Sequence, residues 1–108
     1  MAPDFSQVRN EAAAKELVAQ GKLVAIHLFP AEFGGADERV NITYVTPEAA
    51  AARELILGTI TRMIGEGLID QLTVEPNYKG DSFVPSSLSM KAWHSEQEGR
   101  FEPKIEVW

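Results

Sequence analysis

The chain reads as an α+β protein: one helix, two strands, a second helix and three further strands, with a mostly antiparallel sheet covered by helices. Three observations predict this. Apolar residues recur at three- and four-residue spacing between Pro47 and Glu66, alternate singly in the last third of the chain, and run unbroken over Leu23-Val24-Ala25-Ile26. A length of 108 residues suits one domain, 1–108, with one core.

Residues 4–20 are predicted as a helix. Ala12, Ala13 and Ala14 have the highest helix propensity, Glu11 and Lys15 stand at the favourable i,i+4 spacing, and Phe5, Val8, Ala12 and Leu17 form an apolar stripe. Gly21 ends it. Residues 22–29 follow as a strand whose continuous apolar run predicts burial on both faces and a central place in the sheet. Residues 30–38 form a loop in which Gly34-Gly35 marks a tight turn or a close approach by another chain or ligand. Residues 40–45 return as a half-buried strand with Val40, Ile42 and Tyr44 on one face, paired with the strand before it.

Thr46-Pro47-Glu48 is a helix start: a hydroxyl at the N-cap, proline at the first helical position and a carboxylate facing the positive end of the macrodipole. The buried face of this helix is predicted as Ala52, Leu55, Ile56, Ile60, Met63 and Ile64, and Gly65 and Gly67 end it. Residues 68–75 give a third strand with Leu72 and Val74 on one side, and Pro76 to Asp81 is a turn by composition. Residues 87–94 alternate Leu88, Met90 and Ala92 inward; residues 101–108 alternate Phe101, Pro103, Ile105 and Val107; the polar loop 95–99 joins them. Pro103 cannot donate to a ladder, so the last strand lies at an edge or begins with a bulge.

Sixteen acidic residues against ten basic ones give a formal charge of −6, and the basic residues are scattered singly. Nucleic-acid binding needs a local positive field, so a role on DNA or RNA is disfavoured. The acidity suits solubility or a basic protein partner. Absence of cysteine removes disulfides, thiolate metal sites and a cysteine nucleophile. The apolar runs fall far short of the roughly 20 residues of a membrane span. Met1 to Phe5 carries no basic region followed by an apolar one, and the expected setting is cytoplasmic.

Chemistry, if any, centres on residues 27–41. His27 ends an apolar strand, and imidazole is the side chain best suited to proton transfer near neutrality; a core histidine bonded to backbone would occupy the same place. Asn41 opens the return strand, where it can ligate a metal or bond the turn backbone. Glu32, Asp37 and Glu38 with His27 form an oxygen and nitrogen set for a divalent ion, without a recognised ligand spacing. Phe33, Gly34, Gly35 and Asn41 are candidate binding residues around that turn. Trp93 and Trp108, with Lys91 outward between the strands, are predicted to share a face across the final hairpin, as a core pair or an interaction patch. His94 is expected to be a surface histidine. Phosphate loops, dinucleotide fingerprints, serine elbows and zinc-binding helices do not occur in the sequence.

The pieces His27-Leu28-Phe29, Phe33-Gly34-Gly35, Asn41 to Pro47, the helix after it, and Glu75-Pro76-Asn77-Tyr78-Lys79-Gly80-Asp81-Ser82 follow one another over roughly residues 25–90. In this they resemble the DNA/RNA non-specific endonuclease domains of bacterial toxins, built on a ββα metal-binding finger. The resemblance implies that His27 is the general base and that magnesium is bound by an asparagine at the start of the helix. This chain has Val24-Ala25-Ile26 where the family has Asp-Arg-Gly, and no asparagine between Glu48 and Arg53. The leading expectation is therefore a non-catalytic protein-binding or regulatory domain of bacterial type, a degenerate nuclease-like or toxin-system partner protein without a cofactor. The alternative is a metal-dependent nuclease with His27 as general base and Asn41 and Glu32 holding magnesium.

Overall fold

The computed structural model describes residues 4–108. Met1 to Pro3, on which part of the reading about a missing signal rests, lie outside the described residues. The order is α1 (Glu11–Ala19), β1 (Val24–His27), β2 (Ile42–Val45), α2 (Pro47–Gly65), β3 (Gln71–Asn77), β4 (Ser87–Trp93), β5 (Arg100–Phe101) and β6 (Lys104–Glu106). This is an α+β fold in which every strand pairing is antiparallel.

The first helix is shorter than predicted. Asn10 accepts a hydrogen bond from the Ala13 amide through Oδ1 at 2.8 Å, which fixes the N-terminus there rather than at residue 4. Phe5 and Val8 are buried all the same, in the segment before it. The Phe5 carbonyl accepts from the Ser82 hydroxyl at 2.8 Å, and the Val8 carbonyl from the Phe83 amide. Gly21, in the left-handed region at φ +76, turns the chain out of the helix as predicted.

The strands form two sheets, not one. β1 and β2 pair only with each other, from Val24 opposite Val45 to His27 opposite Ile42. The central, doubly buried strand expected over 22–29 is thus a short member of a two-stranded ribbon, with Ala25 exposed. Its continuous apolar run reflects α2 on one side and a half-exposed surface on the other. Val40, assigned to the return strand, sits in a single turn of 3₁₀ helix (Arg39–Asn41) and is 87% exposed.

In the second sheet β4 is central: β3 lies along one side, and β5 and β6 share the other. Leu88, Met90 and Ala92 of β4 face inward and are almost fully buried, as their alternation predicted. The register pairs Pro76 with Leu88, so Pro76 and Asn77 belong to β3 rather than to a turn; a proline fits because β3 is an edge strand. The last predicted strand is split. Glu102 and Pro103 interrupt it, and the Pro103 carbonyl still accepts from the Met90 amide at 2.9 Å.

Thr46 caps α2 through its hydroxyl, which accepts from the Ala49 amide at 3.1 Å, and Pro47 follows at the first helical position. The buried face is Ala49, Arg53, Leu57 and Ile60. That corrects the predicted face: Ala52 and Ile64 are exposed, Ile56 and Met63 are half-buried, and Leu55 is 78% exposed. The helix is rolled towards Arg53 because its guanidinium Nη2 donates to the His27 carbonyl at 2.6 Å, and a paired guanidinium can be buried. α2 thus touches both sheets, packing on β1 and β6. One core, with Leu23, Val45, Ile60, Val84, Leu88 and Met90 at its centre, joins these layers. No described helix is long and apolar enough to cross a membrane.

Candidate functional site

The loop between β1 and β2 is built by a few polar and glycine contacts. Asn41 supplies three of them: Oδ1 accepts from the Phe29 amide at 2.8 Å, and Nδ2 donates to the carbonyls of Phe29 at 3.0 Å and Ala36 at 2.8 Å. The Asn41 carbonyl also accepts from the Leu28 amide at 2.7 Å. Every hydrogen-bonding direction but one oxygen lone pair is therefore spent on the turn. Gly34 occupies the left-handed region at φ +97 after a single 3₁₀ turn, Ala31–Phe33. Gly35 packs so closely that a Cβ would lie 1.9 Å from the Phe29 carbonyl oxygen. The Gly-Gly pair thus serves a tight turn and a close approach by the chain's own backbone.

His27 stands at the mouth of this loop with its side chain 34% exposed. Its Nε2 lies 3.0 Å from Oδ1 of Asp37, a well-exposed carboxylate. An exposed contact of this kind contributes about 0–1 kcal/mol. Glu32 is exposed on the 3₁₀ turn and acts on Arg53 only through its field. Arg53 itself is pushed below its ordinary pKa by burial, against the opposing fields of Glu54 and Glu32. Its Nε has no hydrogen-bond partner among the described residues. Of the predicted set, the fold brings together His27 with Asp37, and Asn41 with the Gly34-Gly35 turn. Glu32, Asp37, Glu38 and His27 do not converge: among the described residues no three His, Cys, Asp or Glu side chains stand close enough to share a metal ion.

The two tryptophans lie at opposite ends of β4, not on a common face. Trp93 ends the strand opposite Gln71 and Arg100, with Lys91 Nζ 5.4 Å from its ring centroid. Trp108 lies beyond β6, where its amide donates to the Ser86 carbonyl. There its indole N–H donates to the Val84 carbonyl at 3.0 Å, its ring meets Phe5 edge-on at 6.0 Å, and Lys79 Nζ stands 4.7 Å from the ring centroid. The register of β4 with β5 and β6 places about six residues, roughly 20 Å, between them.

His94 is not a freely solvated side chain. Its Nδ1 accepts from the Glu96 amide at 3.0 Å, which assigns the ring proton to Nε2, 3.8 Å from Asp70 Oδ2. Asp70 accepts from the Ser95 hydroxyl at 2.7 Å and the Ser95 amide at 2.8 Å. Those bonds hold its carboxyl below the ordinary aspartate value.

Sequence reasoning missed an apolar groove beside the loop. Phe29, Phe33, Ile64, Ile69 and Leu72 line about 240 Å³ of open space, with Asp70 and Gln71 at its rim. The one sequence signal for it was Phe29 and Phe33 flanking a proline within a loop, two large apolar rings that the fold leaves only half-buried. Comparison with protein-family profiles, with curated proteins and with solved structures finds no match for this chain.

Proposed function

We propose that the protein is a non-catalytic protein-binding domain. The observation that carries this reading is the commitment of Asn41, which holds the 27–41 loop shut on its own backbone. Of the residues that a hydrolytic centre would use, Asn41 is spent on the Phe29 and Ala36 backbone, the buried cation Arg53 is bonded to the His27 carbonyl, and His27 itself has one exposed contact, with Asp37. What this shape presents is apolar: Phe29 and Phe33 stand on the groove wall. The strand–strand–helix order of β1, β2 and α2 accords with a degenerate relative of the nuclease domains that the sequence resembles. A positively charged guanidinium behind the histidine is poor company for a divalent cation.

Asn41→Asp separates the two roles. A carboxylate would keep or improve a metal ligand, whereas the clasp loses both N–H donors and turns a negative charge towards two carbonyls. A cost of roughly 2–3 kcal/mol follows from the unpaired groups, read as a fall in Tm, with no gain in Tm on adding magnesium or manganese. Plasmid DNA and RNA incubated with either metal should stay intact. Cleavage that disappears in His27→Ala would overturn the proposal and restore the nuclease reading.

A further inference from the structure

We infer that the outer edge of β3, with the groove at its start, receives an extended segment of a basic protein partner, one large apolar side chain entering the groove between flanking Lys or Arg residues. This rests on the binding-domain reading above and specifies its ligand. β3 is seven residues long and pairs with β4 alone, so the backbone groups on its other side have no strand partner among the described residues. A free edge of this kind accepts an added strand, in which backbone hydrogen bonds supply affinity and alternate side chains supply selectivity. Pro76 has no N–H to offer, which confines the usable edge to residues before it.

The groove opens where that edge begins. Ile69 and Leu72 form one wall and Phe29 and Phe33 another. A volume of about 240 Å³ lies below the range of small-molecule pockets, roughly 300–1,000 Å³, and suits one inserted side chain. Asp70 lines the groove, the exposed Glu32 stands next to the lining Phe33, and the exposed Glu66 stands two residues after the lining Ile64, whereas Glu75 alternates to the other face of the sheet, beside Lys91 and Lys104. A second copy of this chain, at a net charge of −6, would bring like charge to like charge. A basic segment is complementary and would be steered to the edge before docking.

The probe is a display library of random nonapeptides selected against the whole chain. Selected sequences should centre on an aliphatic or aromatic residue flanked by Lys or Arg. Synthetic copies should shift the backbone amide signals of residues 69–75. Ile64→Glu, at an exposed position on the groove wall, should leave Tm unchanged and weaken binding at least about tenfold. Replacing the peptide's lysines by glutamates should abolish binding with the protein unaltered. The inference is overturned by selection of acidic or helix-forming sequences, by no selection, or by amide shifts confined to another surface. It is equally overturned by sedimentation showing a dimer that Ile64→Glu dissociates, which would make a second copy the occupant. Any of these with nucleic acid left uncleaved removes only this ligand assignment; metal-dependent cleavage would remove the binding-domain reading itself.

Discussion

The β1–β2 ribbon and the β3–β6 sheet are held by different forces. In the sheet, Leu88, Met90, Ala92 and Ile105 are buried to within a few per cent, and the central strand is paired on both sides. In the ribbon β2 buries Thr43, Tyr44 and Val45, but no residue of β1 is fully buried, and the loop depends on Asn41, on two glycines and on the carbonyl contact from Arg53. Burial is non-directional and tolerant of small shifts, whereas hydrogen bonds and close backbone packing demand one geometry. The well-buried sheet, with β2 joined to its core, therefore anchors the fold, and β1 with the loop after it sets the shape of the surface they carry. Local opening should begin in β1 and the 28–41 loop, where Pro30 is the one fully buried residue.

That contrast can be broken at its strongest point first. Leu88→Ala should cost roughly 2–5 kcal/mol, because a fully buried leucine leaves a cavity as well as losing transfer energy. Hydrogen exchange should then speed up across both sheets together. Gly35→Ala comes next, at about 1–3 kcal/mol, since the added methyl meets backbone that cannot move aside cheaply. Exchange should quicken in residues 28–42 before it does in β4; equal acceleration everywhere would mean that the two regions open as one. Asp70→Asn is smaller. The native carboxyl sits below the ordinary aspartate value of 3.8, so its stabilisation is present above that pH and is lost as pH falls through the lower folded value. The variant should show a weaker decline of Tm on acidification across that window, and an unaltered decline would remove Asp70 from the account. Leu55→Ala should do least, within about 0.5 kcal/mol, since its side chain is exposed. A large fall in Tm would return Leu55 to the buried face of α2.

Much of this was legible in residues 46–48 and 87–93, where a cap and a strict alternation each have one structural meaning. The Gly34-Gly35 turn and the bonding of Asn41 to backbone were also within reach, the latter as one of two readings. The roll of α2 was not. Counting apolar positions favoured Leu55 over Leu57, and only the carbonyl of His27, distant in sequence, explains why Arg53 turns inward. Separation into two sheets was hidden because an unbroken apolar run looks the same whether a second strand or a helix covers it. The tryptophans went astray for another reason: spacing along two strands does not give register once Pro103 divides the second. The groove has no sequence periodicity, being assembled from a loop, a helix end and a strand start.

The proline that parts β5 from β6 gives the sheet a direction. A chain approaching that side meets two residues, an interruption, then three more, too little for a lasting ladder, while the opposite side offers five consecutive residues, Gln71 to Glu75, before Pro76. Growth by stacking copies edge to edge would need both sides open. With one interrupted, this sheet is poorly built for such stacking.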